Sequence, residues 1–244
     1  MGQVGYAGRT GMPFRALTFD CYGTLIDWET GLLEALVPWV AAQGGDASPS
    51  RLLAAFAEVE PAVQRAHPRL PYSDLLGRVH GALARRLALP ENADAARRFA
   101  ASVGRWPAFP DTAEALGRLA TRFRLVLVSN VDRRALEASA PQLGIDFDAV
   151  VTAEEVGAYK PDIRMFAATR RRLADLGCDV ETTLHVAQSL FHDHVPAKAL
   201  GFRTAWVDRR RGEAGWGATP PPGEPVTPDI VVASLTELAT HLGV

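Results

Sequence analysis

What most constrains this chain is a set of short, largely apolar runs, each halted by polar residues or a turn. Ala16-Leu17-Thr18-Phe19 stops at Asp20-Cys21-Tyr22-Gly23-Thr24, and Leu125-Val126-Leu127-Val128 stops at Ser129-Asn130. Similar runs stand at 149–152, 184–187, 204–207 and 230–232. Runs this apolar suit strands buried on both faces, as in a parallel sheet. Between them lie helical patterns. Leu116, Leu119, Ala120 and Phe123 follow Asp111-Thr112, which offers an N-cap with Glu114 in the first turn, and 196–200 reads as a short helix ended by Gly201. Strand and helix alternate from about 111 onward, which predicts an α/β, doubly wound (Rossmann-like) parallel sheet. Such sheets bind ligands at strand C-termini, where Asp20 falls.

The stretch 30–108 has no convincing strand but carries helical stripes, among them Leu52, Leu53, Phe56 and Val59, then Leu75, Leu76, Val79, Leu83 and Leu87. It leaves the chain just after the first strand and returns before the second. The expected organisation is therefore a core of 14–29 and 109–244 with a helical cap inserted at 30–108. Residues 1–13, rich in glycine, read as a loose leader, and 209–228, rich in proline and glycine, as a surface loop.

Twenty-six basic against 28 acidic side chains, a formal charge of −2, give no electrostatic basis for nucleic-acid binding. No apolar run approaches the roughly 18 residues of a membrane span. The two cysteines, Cys21 and Cys178, form neither a disulfide framework nor a CxxC pair, which suits a reduced cytoplasm. These features give no basis for a nucleic-acid or membrane partner. The apolar cap stripes leave a homodimer open, although such stripes more often pack within one chain.

Four polar groups sit in strand-end contexts: Asp20 with Thr24, Ser129-Asn130, Lys160-Pro161 and Asp193. Alone, each has a bland reading: loop aspartate, structural amide, solvated lysine, helix-capping carboxylate. Together, Phe19-Asp-Cys-Tyr-Gly-Thr-Leu-Ile-Asp27, Val128-Ser-Asn130, Tyr159-Lys-Pro-Asp162 and the Asp193 segment resemble the haloacid dehalogenase superfamily over roughly 14–244. Tyr-Gly-Thr-Leu after the aspartate and Tyr159-Lys-Pro-Asp-Ile-Arg164 look most like the type II L-2-haloacid dehalogenases.

That resemblance implies Asp20 as a nucleophile forming an aspartyl ester, Lys160 holding it anionic, and Asp193 orienting Lys160 and the hydrolytic water. It also implies that Ser129 binds a substrate carboxylate. Asn130, Thr24, Tyr22, Gln188 and His192 complete the expected substrate-binding set. Tyr22 stands where phosphatases of the superfamily carry a second aspartate as general acid, and a halide leaves without needing that proton. The implied partner is a small-molecule substrate, and the implied reaction is hydrolysis of small L-2-haloacids to D-2-hydroxy acids. No cofactor is expected, since the fourth motif offers one carboxylate where magnesium-dependent members present an acidic pair; magnesium is the alternative. His192 and His194 flank Asp193, but such close neighbours cannot all converge on one metal. Cys21 is expected to be a packed thiol.

Three positions depart from the dehalogenase pattern. Phe166 replaces a tyrosine and Leu190 an asparagine, and the halide-cradling cap arginine has no match in Phe56-Ala-Glu-Val-Glu60, leaving Arg51, Arg65 and Arg69 as substitutes. His192, near its ordinary titration range, could then protonate a different leaving group, the phosphomonoesterase alternative. A catalytically impaired scaffold is the remaining reading.

Overall fold

The computed structural model describes residues 14–244; the expected leader at 1–13 lies outside them. Six strands form one parallel sheet in the order β3-β2-β1-β4-β5-β6. They are β1 (Ala16–Phe19), β2 (Arg124–Ser129), β3 (Ala149–Thr152), β4 (Thr183–Ala187), β5 (Arg203–Val207) and β6 (Ile230–Val232). The β1 and β4 strands are buried at every position, and β2 at all but its first, so no polar face had to alternate with the apolar one. The doubly wound α/β expectation is met.

The register places the site. Phe19 lies level with Leu127 of β2 on one side and Val186 of β4 on the other. The chain leaves β1 outward through β2 and β3, then returns to build β4, β5 and β6 on the opposite flank. Strand order thus reverses at β1, and the crevice of such a reversal lies at the strand C-termini.

Four helices intervene between β1 and the helix that leads into β2: α1 (Trp28–Ala41), α2 (Pro49–Ala66), α3 (Tyr72–Arg86) and α4 (Ala93–Ala100). Asp27 caps α1 through the Thr30 N–H, and Asn92 caps α4 through the Ala95 N–H. The α3 helix packs on both α2 and α4. Trp28 meets Phe56 edge to face at 5.6 Å, within one apolar cluster that runs continuously from the sheet into these helices.

The remaining helices are α5 (Thr112–Ala120), α6 (Arg133–Ser139), α7 (Ala153–Val156), α8 (Ile163–Asp175), α9 (Val195–Ala199) and α10 (Leu235–His241). Two local expectations change. Asp111 makes no side-chain cap to α5; its carboxylate instead pairs with Arg209 at 2.9 and 3.0 Å and accepts from the Leu235 N–H. The charged partner and the α10 N–H outcompete a lone cap. The 209–228 segment is not wholly a surface loop, since Ala218 and Thr219 are buried and Arg209 donates to the Thr24 carbonyl. No described helix is long and apolar enough to cross a membrane.

Candidate active site

The chain after β1 turns back at once. Gly23, with φ near +100°, takes a conformation that a side chain resists, and a Cβ there would sit 3.2 Å from both Gln188 Oε1 and Trp28 Nε1. That turn brings the Thr24 hydroxyl 2.6 Å from Asp20 Oδ2, to which it donates, and Thr24 Oγ1 accepts from the Gln188 N–H at 2.9 Å. Thr24 therefore ties the Asp20 carboxylate to the segment that follows β4.

Lys160 follows β3 and α7. Its buried ammonium donates to Asp20 Oδ1 at 2.7 Å, to Asp193 Oδ1 at 2.8 Å and to the Val128 carbonyl at 3.0 Å, using all three protons. Asn130 holds the lysine backbone in a two-way clamp: Lys160 N–H donates to Asn130 Oδ1 at 2.7 Å, and Asn130 Nδ2 donates back to the Lys160 carbonyl at 3.2 Å. Asn130 lines the cavity, and the clamp uses one of its two Nδ2 protons. Ser129 ends β2, its Oγ accepting from the Val131 N–H while its own proton is free for a ligand.

Asp193 does not cap a helix. It lies in a wide π-type turn, Leu190–His194, which Ser189 starts by accepting from the His192 N–H. Asp193 Oδ1 also faces His185 Nε2 at 3.1 Å, and His185 Nδ1 meets Thr18 Oγ1 at 2.8 Å. A carboxylate only accepts, so His185 carries a proton on Nε2. The second oxygen, Asp193 Oδ2, has no partner.

Two carboxylates share one ammonium, so Lys160 does not bring the Asp20 carboxyl below its ordinary value. Burial pushes the Asp20 carboxyl up, and the Asp193 charge adds to it, outweighing the pull of Lys160 and Thr24. Asp193 is buried too, but Lys160 and His185 overcome that and hold it well below the ordinary range. Lys160, despite burial, is raised by its two acids. The cluster titrates as a unit in which Asp193 ionises first.

These groups line a small cavity of about 40 Å³, together with Tyr22, Trp28, Glu60, Tyr72, Gln188, His192 and Thr219. It has room for only a very few waters. Trp28 and Gln188 also border a wider outer pocket of about 420 Å³. The Tyr22 ring faces the cavity, but its hydroxyl bonds Ser139 Oγ at 2.7 Å. Gln188 Oε1 accepts from Thr219 at 3.2 Å.

His192 Nδ1 faces Ser189 Oγ at 3.1 Å and Nε2 has no partner. Burial drives its pKa down to about 4, so His192 is neutral at pH 7 and cannot be the proton donor considered from the sequence. His194 is bound to the Ala187 carbonyl. The departures resolve too: Phe166 packs edge-on to His185 at 5.1 Å, and buried Leu190 opens the turn carrying Asp193. Arg51, Arg65 and Arg69 are exposed and do not line the cavity, Arg51 being held by Asp46. Cys21 is buried, its thiol pushed up by burial and by the Asp20 charge.

Glu60, Tyr72 and His185 are cavity or supporting residues that sequence reading did not assign. A histidine inside the apolar run 184–187, and an acid in step with Leu53 and Phe56 along α2, were the available signals.

Asp20 Oδ1 and Asp193 Oδ1 bind the Lys160 ammonium, Asp20 Oδ2 accepts from Thr24, and Asp193 Oδ2 is the carboxylate oxygen of this pair left without a partner.

Against known proteins, the model of the haloacid dehalogenase-like hydrolases matches residues 14–190. An (S)-2-haloacid dehalogenase of Pseudomonas putida is 29% identical over 107 residues, 43% of this chain and 45% of that one. A glyceraldehyde 3-phosphate phosphatase of Methanothermobacter thermautotrophicus is 34% identical over 109 residues, 43% of this chain and 47% of that one. The chain thus spans about half the length of these two curated relatives. The L-2-haloacid dehalogenase structure from Xanthobacter autotrophicus with chloropropionic acid covalently bound superposes with a TM-score of 0.74 at 21% identity, covering 94% of this chain and 98% of that one, which is a likeness of fold. The match over most of the described residues decides the family: the chain belongs to the haloacid dehalogenase-like hydrolases.

Proposed function

We propose that the protein hydrolyses small 2-substituted carboxylic acids, L-2-haloacids first among them, through an ester on Asp20 and without a metal. The observation that carries this is the arrangement around Asp20. Its carboxylate is aimed by Thr24 and Lys160 beside a cavity of about 40 Å³, and the residue two positions on is Tyr22, whose hydroxyl is turned to Ser139. A carboxylate fixed in this way supplies attack geometry, and effective molarities of such fixed groups can reach about 10⁵ M or more.

In this reading Asp20 attacks C2 from the side opposite the halogen, and the carbon–halogen electron pair leaves with the halide. Ser129 Oγ, its proton uncommitted, binds the substrate carboxylate. Water then attacks the ester carbonyl, releasing the hydroxy acid with inverted configuration and restoring Asp20. The unpartnered Asp193 Oδ2 is the acceptor for that water's proton, and His185 and Lys160 hold Asp193 in place.

The unpartnered Asp193 Oδ2, which a cation could use, and the 34% identity to a phosphatase over 109 residues stand on the side of a magnesium-dependent phosphatase. Halide release from L- and D-2-chloropropionate and chloroacetate, with and without EDTA, separates the two readings. We expect L-selective, EDTA-insensitive release that Asp20→Asn abolishes. Turnover of an aryl phosphate with magnesium, and none of the haloacids, would overturn the proposal.

A further inference from the structure

The α2 helix places Leu53, Phe56, Glu60 and Gln64 along its buried face, and Glu60 is only 3% exposed. Pro61 and the apolar neighbours give its carboxyl no counter-charge. Both of its hydrogen bonds fall on Oε1, from Gln64 Nε2 at 2.8 Å and from the Tyr72 hydroxyl at 3.1 Å; Oε2 has none. Lys160 is the one cation lining the cavity among the described residues, and its three protons are committed to Asp20, Asp193 and Val128. A buried carboxyl with neutral partners keeps its proton rather than its charge. Burial pushes Glu60 to about 7, and the Tyr72 hydrogen bond only partly offsets it.

Glu60 and Asp20 line the same cavity. We propose that Glu60, as the neutral carboxylic acid, donates a hydrogen bond from its Oε2–H to the departing group, so that this site is built for a basic leaving group, fluoride rather than chloride or bromide. The inference rests on the haloacid reading above and specifies its leaving group. Asp20 forms the C2–oxygen bond as the carbon–fluorine pair leaves with fluoride. The Glu60 O–H stabilises the departing fluoride by a hydrogen bond; hydrogen fluoride is a stronger acid than Glu60, so fluoride leaves as the anion and Glu60 keeps its proton. Hydrolysis of the ester returns Asp20. The sum is R–F plus water giving R–OH, fluoride and one proton. Chloride and bromide are much weaker bases and gain little from that hydrogen bond, whereas a donor aimed at charge developing in the transition state is typically worth about 10² to 10³ in rate.

Other groups facing the cavity do not compete for this role. His192 is not an imidazolium at pH 7, and the neutral ring's N–H is a far weaker acid than a carboxyl; the Tyr22 hydroxyl is bound to Ser139. Tyr72 spends its proton on Glu60. Asp20 and Asp193 are bound to Lys160, leaving Glu60 as the cavity acid paired only to neutral groups.

The test measures fluoride and chloride release from fluoroacetate and chloroacetate between pH 5 and 9, for the wild-type protein and for Glu60→Gln, which keeps the shape and Tyr72 as a neighbour. Wild-type fluoride release should fall about tenfold per pH unit above 7. In Glu60→Gln that alkaline limb should vanish and the ratio of fluoride to chloride release should drop by about 10² or more. An unchanged ratio, or an alkaline limb that survives the substitution, overturns the inference while leaving the haloacid reading intact. Absence of halide release from both acids sinks the haloacid reading instead. A second measurement needs no substrate: the ¹³C-carboxyl titration of Glu60, assigned by its loss in Glu60→Gln. A midpoint near 7 supports the acid, and one below 5 overturns it.

Discussion

The site holds two kinds of buried carboxyl, and they differ in what stands beside them. At the strand ends, Asp20 and Asp193 share an ammonium and are joined by a hydroxyl and an imidazole. On the α2 wall, Glu60 has an amide and a phenol. Burial disfavours the charged form of all three. A cation overcomes that penalty at Asp193; where only neutral donors are supplied, as at Glu60, the pKa stays high, at about 7. One residue chemistry thus yields an anion on one wall and an acid on the other, which is how paired carboxyls divide nucleophile and acid roles.

The comparison can be broken most completely at Asp20. Asp20→Asn keeps the shape and removes the anion; turnover should fall by about 10⁴ or more in a steady-state halide assay, with the melting temperature little changed or raised. In the wild-type protein the acid limb of the rate profile should lie above the ordinary value of 3.8, because the nucleophile acts ionised and burial raises its pKa. Lys160→Met removes the cation and leaves two buried carboxylates facing each other. Urea unfolding at pH 7 should show a loss of about 3–5 kcal/mol, with part of it recovered on acidification as a carboxyl takes up a proton.

Glu60 offers the opposite response. Below its ordinary 4.5 it is neutral folded or unfolded; between 4.5 and about 7 the unfolded chain ionises first, so stability falls as pH rises through that window. Glu60→Gln should abolish that loss, gaining on the order of 3 kcal/mol at pH 8 relative to its effect at pH 4. The smallest change is Tyr72→Phe. It should cost about 1 kcal/mol by thermal melting and, because the lost hydrogen bond had favoured the carboxylate, move the Glu60 titration upward.

The sheet was legible because its strands are buried on both faces and so announce themselves as unbroken apolar runs; β1, β3 and β6 match the runs residue for residue or nearly so. The residues grouped around Asp20 were legible because turns and strand ends are where this fold holds chemistry, and Lys160 and Asp193 do meet Asp20. What escaped reading was the other side. Glu60 looks like an ordinary helix acid until α3 brings Tyr72 against it, 12 residues on. His185 hides in a strand whose partner, Thr18, lies 167 residues away. Thr219 sits in proline-rich chain yet reaches Gln188, 31 residues distant. Local pattern carries no information about such pairings, and the direction of the Asp20 shift depended on counting both acids against one lysine.

The position of β1 between β2 and β4 has a consequence for folding. Lys160 meets an acid 140 residues before it and another 33 residues after it, and Thr24 meets Gln188 across 164 residues. Contacts of that span form only once most of the chain entropy has already been lost. No fragment ending before β4 can hold Asp193, and none lacking β1 has Asp20. Enzymatic activity here is consequently a cooperative reporter: on warming, it should vanish with the sheet itself, leaving no active partly folded species.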